Sequence, residues 1–98
     1  MISKNTQQFK TKHYIIRVDE QGHGLYRYSS WKHSSIIMDK PRIIVYDGVL
    51  DENANKYVFI NGNYTYNVGV IPQEQGYPPK YYIEVYKNKQ LLLREANN

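Results

Sequence analysis

The sequence predicts an all-β domain, a small antiparallel barrel or sandwich of about seven strands. Short runs of alternating apolar and polar residues recur along the chain, with Gly-, Asn-, Asp- and Pro-rich turn signals between them at hairpin spacing. No segment of about ten residues carries convincing helical periodicity. The strongest local signal is KYVFINGNYTYNVGVI at Lys56–Ile71, where runs Tyr57–Ile60 and Tyr64–Ile71 flank Asn61-Gly62-Asn63. Asn-Gly between such runs predicts a type I′ hairpin, whose two central residues both need positive φ.

Taken in order, Met1–Lys12 is polar and reads as a loose lead-in, a short helix at most, ahead of one β domain over residues 13–98. Tyr14–Asp19 alternates, with Tyr14, Ile16 and Val18 on one face and Ile15, Arg17 and Asp19 on the other. The glycines of Glu20–Gly24 supply a turn into a second strand, Leu25–Trp31. Lys32–Lys40 breaks the alternation and reads as a loop, with Ser34, Ser35 and Asp39 able to cap a turn around the patch Ile36–Met38. Pro41 opens the β-branched run Arg42–Tyr46, Asp47-Gly48 signals a turn, and Val49-Leu50 continue the pairing before the polar loop Asp51–Asn55.

In the second strand of the central hairpin Tyr64, Tyr66, Val68 and Val70 share a face, and Gly69 marks a bulge or bend. Pro72–Lys80 holds three further breakers, Gly76, Pro78 and Pro79, and belongs on the surface. Tyr82–Lys87 and Gln90–Glu95 complete the sheet through a tight turn at Asn88-Lys89.

At 98 residues the chain is one domain by length. Such a domain buries roughly 60–65% of the surface its unfolded chain exposes, enough for a single core. Its apolar set is dominated by eleven Tyr against two Phe and one Trp, which suits half-buried positions where a ring packs and its hydroxyl stays near water. The net charge is +4, yet Lys and Arg come singly, without the concentrated face of a typical nucleic-acid binder. There is no cysteine, which excludes disulfides and thiolate metal sites. No apolar run approaches the ~20 residues of a membrane-spanning helix. Met1-Ile2-Ser3-Lys4 is not a signal peptide, and a removed one would leave the same start, so export stays open.

Catalytic motifs are missing. His13, His23 and His33 have no ligand at metal-binding spacing. Ser29, Ser30, Ser34 and Ser35 near His33 lack the nucleophile elbow and the oxyanion loop. Asp19-Glu20 and Asp51-Glu52 are adjacent loop carboxylates with nothing to separate their roles, and no cofactor-binding motif occurs. Asn63-Tyr64-Thr65 matches the glycosylation sequon, a common chance match. The expectation is a protein that is not an enzyme.

Aromatic residues beside basic ones form the sharper pattern. Trp31-Lys32-His33 closes the second strand, and Tyr77 and Lys80 lie in the proline-rich loop. Trp and Tyr serve as interface anchors and Lys supplies charge, so these five residues are the candidate binding set.

YRYSSW at Tyr26–Trp31, KPRIIVYDG at Lys40–Gly48, YVFINGNYTYNV at Tyr57–Val68 and YIEVYKNKQLLL at Tyr82–Leu93 together resemble a family of small uncharacterised bacterial exported β-domains. In size and architecture the nearest named type is the small barrel of the periplasmic lysozyme inhibitors. The resemblance implies a periplasmic or secreted β-domain of unknown role, and the expectation built on the candidate residues is a binding module without catalytic activity. It would contact a protein or glycan through strand-end loops, in inhibitor-like fashion by entering a partner's cleft. The alternative expectation is a single-stranded nucleic-acid-binding barrel of OB or cold-shock type, drawn from the positive charge and the Tyr-rich strands.

Overall fold

The structure is a computed structural model that describes residues 6–33 and 40–97. The turn-capping residues Ser34, Ser35 and Asp39 and the patch Ile36–Met38 lie outside the described residues. Among the described residues there are eight strands: β1 (Gln7–Lys10), β2 (Tyr14–Gly22), β3 (Leu25–Lys32), β4 (Ile43–Asp51), β5 (Lys56–Asn61), β6 (Tyr64–Ile71), β7 (Lys80–Lys87) and β8 (Gln90–Ala96). Each pairs antiparallel with the next in sequence order, and the sheet curls into a half-barrel. None of the described residues forms a helix long and apolar enough to cross a membrane.

The period-2 alternation sets the inner face. Ile16 and Val18 of β2, Tyr26 and Tyr28 of β3, Val45 of β4, Tyr57 and Phe59 of β5, Tyr66 and Val68 of β6, and Ile83 of β7 form one buried cluster. Phe59, Ile16 and Ile83 are the largest fully buried side chains, each stabilising the fold by about 1.5–3 kcal/mol through removal of apolar surface from water. Tyrosine serves as core here: Tyr26 meets Tyr57 edge-on at 4.7 Å, and Tyr28 stacks on Tyr66 at 5.0 Å.

Four local expectations are revised. Part of the supposed lead-in is a strand: β1 pairs with β2, and Phe9 is buried with its ring stacked on Tyr81 at 5.4 Å. Its polarity hid it, because a short edge strand rich in Gln and Lys buries only alternate residues and keeps its free edge unattractive to other chains. Asp47-Gly48 is a bulge inside β4 instead of a turn. Tyr26 pairs with Gly48 and Tyr28 with Val45, so Tyr46 and Asp47 together face Arg27 alone, and Asp47 adopts φ 63°. The bend carries β4 from its pairing with β3 to its pairing with β5 at Val49–Asp51.

Gly69, by contrast, keeps regular register between Lys56 and Tyr82, and the Tyr82 ring lies over it. The central hairpin has a two-residue turn in which Gly62 has φ 61° while Asn63 stays in the ordinary negative region, the pattern of a type II′ turn. Type I′ geometry occurs instead at Asn88-Lys89, with φ 50° and 69°.

Gly48 and Gly69 are predicted to differ sharply in tolerance of a methyl group. A Cβ at Gly48 would overlap the Phe59 ring, which has no free space to retreat into, so Gly48→Ala should cost about 1–3 kcal/mol in urea unfolding. At Gly69 the obstacle is the outer end of the half-buried Tyr82 ring, which can swing aside, and Gly69→Ala should cost under ~1 kcal/mol.

Candidate binding surface at the seam and mouth of the half-barrel

The half-barrel is held at its seam by side chains in place of a strand pairing. Thr11, fully buried between β1 and β2, closes that turn: its N–H donates to the Tyr14 carbonyl at 2.8 Å, and its Oγ1 accepts from the Tyr14 N–H at 3.1 Å. The Thr11 hydroxyl then donates to Glu95 of β8 at 2.7 Å. Glu95 also accepts from the His13 N–H at 3.2 Å and pairs with His13 Nδ1. Opposite Ile83 in register, Glu95 falls on the inward-facing set of β8, which brings it to this turn. Nearby, the Tyr81 N–H donates to Asn97 Oδ1 at 2.8 Å and the Asn97 N–H returns a bond to the Tyr81 carbonyl at 2.9 Å.

Burial pushes the Glu95 carboxyl upward, but the hydrogen bonds from Thr11 and His13 outweigh it and hold the group below the ordinary carboxylate range.

Around this seam the strand ends form recesses. The His33 N–H donates to the His13 carbonyl at 2.8 Å, which draws the end of β3 beside the β1–β2 turn. Lys12, His13, Tyr14, Lys32 and His33 line the resulting recess of about 450 Å³, and no carboxylate is among its lining residues. His33 also borders a second recess with Phe9, Lys10, Pro78, Pro79 and Tyr81, so the end of β3 and the proline-rich loop meet there. A third, of about 290 Å³, is lined by Tyr14, Ser30, Trp31, Lys32, Arg42 and Ile43. Tyr14, Ser30 and Ile43 continue from it into the concave groove of the half-barrel, a cavity of about 320 Å³.

The five residues expected from the sequence separate. Lys32 and His33 are exposed and lie together in the basic recess. Trp31 is only 3% exposed, paired across strands with buried Ile15 and lying under the Arg17 guanidinium at 5.1 Å, so its ring packs the sheet and borders only the third recess. Tyr77 is 69% exposed, and Lys80 is exposed at the start of β7, but neither lines these recesses.

Lys12, His13 and Tyr14 were not singled out as binding residues from the sequence, and neither were the groove tyrosines Tyr64 and Tyr66. The signal for the tyrosines was present in their inward alternation and in the excess of Tyr over Phe. The signal for Lys12 and His13 was not, because it depends on the bond to His33. Among the described residues no group of three His, Asp or Glu side chains gathers closely enough to hold a metal ion.

The fold and these recesses define an open, eight-stranded antiparallel half-barrel with a basic rim. Comparison with protein-family models, with curated proteins and with solved structures found no match.

The Glu95 contacts imply a dependence on pH. Because its pKa is lowered by folding, the stability it contributes is present above the unfolded carboxylate value of about 4.3 and is lost as pH falls through the folded value. Glu95→Gln should therefore destabilise the protein by about 1 kcal/mol at pH 7, with the difference from the unsubstituted chain shrinking below about pH 4. Urea unfolding midpoints at both pH values measure this, and a constant difference would refute it.

Proposed function

We propose that this protein is a non-enzymatic binding module that contacts an acidic partner, a protein surface or a glycan, through the basic rim at its strand ends. The observation that carries the reading is the recess in which one backbone bond, His33 to His13, assembles Lys12, Lys32 and two imidazoles around the Tyr14 ring, with Glu95 engaged by His13 and absent from the lining. A concentration of cations on a rigid sheet end attracts anionic groups, speeds their encounter and orients them, while a ring beside the cations offers an apolar face for packing. The net charge of +4 works in the same direction at longer range. The resemblance to periplasmic lysozyme inhibitors implies one form of this activity, an exported protein whose lysines pair with carboxylates lining a partner's cleft.

Single-stranded nucleic acid is the less well supported reading. Such binders stack bases on rings displayed along a basic groove, whereas Tyr26, Tyr28, Tyr57 and Tyr66 are packed against one another inside the half-barrel.

Lys12→Gln combined with Lys32→Gln should weaken binding to a sulfated or uronic acid-rich glycan by about 5- to 30-fold, since each lost charge contact is worth on the order of 0.5–1 kcal/mol. Titration of a labelled chondroitin sulfate, with a labelled oligothymidylate alongside at low and high salt, measures it. Unchanged glycan affinity in the double variant would overturn the rim assignment. Tight, steeply salt-dependent binding of the oligonucleotide with none of the glycan would favour the nucleic-acid reading instead.

A further inference from the structure

The concave groove has a chemistry of its own that the rim does not use. Aliphatic side chains of Ile16, Ile43, Ile83, Val85, Leu92 and Leu93 form most of its lining, and four tyrosines, Tyr14, Tyr28, Tyr64 and Tyr66, add rings with hydroxyls. No Lys, Arg, His, Asp or Glu is among the lining residues. Burial pushes the Tyr28 phenol far above its ordinary pKa, with a hydrogen bond to Ser30 offsetting this in part, so that hydroxyl stays neutral. Its volume of about 320 Å³ falls at the lower end of the range typical of small-molecule sites, and an apolar wall with a few polar groups is their usual composition.

Where the groove opens, the chemistry changes. Tyr14, Ser30 and Ile43 belong both to the groove and to the neighbouring recess that holds Lys32 and Arg42. The Arg42 N–H donates to the Ser30 carbonyl at 2.8 Å, which fixes that residue beside the opening. Among the described residues neither Lys32 nor Arg42 has a carboxylate within ion-pair distance.

An uncharged groove running into a pair of cations is complementary to a molecule with an apolar body and an anionic end. We propose that the half-barrel binds an amphipathic carboxylate, its tail among Ile43, Val85, Leu92 and Leu93 and its head at Lys32 and Arg42. The planar guanidinium fork of Arg42 suits the two oxygens of a carboxylate, and Lys32 adds a second charge. This goes beyond the rim reading, since it concerns a small ligand held inside the sheet, and either can fail without the other.

The test titrates the full chain with decanoate, decanol and decyltrimethylammonium, read by calorimetry and by backbone amide NMR. Decanoate should shift Ser30, Ile43, Tyr64 and Leu92 and bind more tightly than decanol, with decyltrimethylammonium weakest. Lys32→Gln with Arg42→Gln should weaken decanoate about 10-fold and leave decanol unchanged, the loss expected for partly exposed charge contacts. Ile43→Trp, at a position 37% exposed at the groove mouth where the larger ring leaves the core undisturbed, should block both tails.

If neither decanoate nor decanol shifts the groove residues, the site does not exist. Equal affinity for the two, or equal loss of both in the charge variant, overturns the carboxylate assignment. Lys12→Gln, which removes a rim cation outside the groove, should leave decanoate binding intact while weakening the acidic glycan; a matching loss of decanoate would merge the two sites and overturn the proposal.

Discussion

A sheet with one strongly apolar face can hide that face from water only by packing it against something, and this chain has no helix among its described residues to supply the partner. The sheet therefore packs against itself, and the contact that permits this is Phe59 lying where a side chain at Gly48 would otherwise be. The missing Cβ lets β4 and β5 approach the axis of the curl. Just before it, the bulge at Tyr46–Asp47 turns β4 from one neighbour to the next. Tyr28 and Tyr66 then close over Phe59 from the adjoining strands, with Tyr28 5.6 Å from the Phe59 ring. The inner face, the groove and the approach of the two ends of the chain all depend on that curvature.

Curling leaves a seam, and the seam is where polar chemistry concentrates. β1 and β8 do not pair, so Thr11, His13 and Glu95 do locally what a ladder of backbone bonds would have done. A side-chain contact of this kind joins the two ends without filling the space inside them. The rim residues Lys12, Lys32 and His33 project beside the contact, and the groove opens next to it. A fully closed barrel of the same strands would be sealed by its own backbone bonds and would have no such seam.

Much of the fold was legible in local pattern. The alternation at Tyr14–Asp19 and Tyr64–Val70 separated the two faces of each strand, with Ile16, Val18, Tyr66 and Val68 in the buried cluster, and Asn88-Lys89 was recognised as a tight turn. Legibility failed where a residue's role depended on a distant partner. Phe9 looked like an isolated apolar residue until Tyr81 stacked on it, and Asp47-Gly48 looked like a turn until Tyr26 and Tyr28 set its register. The candidate site divided along the same line: Lys32 and His33 were found from sequence, but their companions Lys12 and His13 were not. Trp31, chosen as a surface anchor for its chemistry, packs beneath Arg17 because it faces the convex side beside Ile15, where a large ring gains more from burial than from display.

The amino-acid sequence by itself determined that this chain forms strands, where most of them run, and which side chains face inward, because period-2 alternation and turn chemistry act over a few residues. Tertiary structure decided how tightly the sheet curls, that a groove remains inside it, and which strand ends share a rim. Those outcomes rest on contacts such as Thr11 with Glu95, 84 positions apart, whose existence no local pattern encodes.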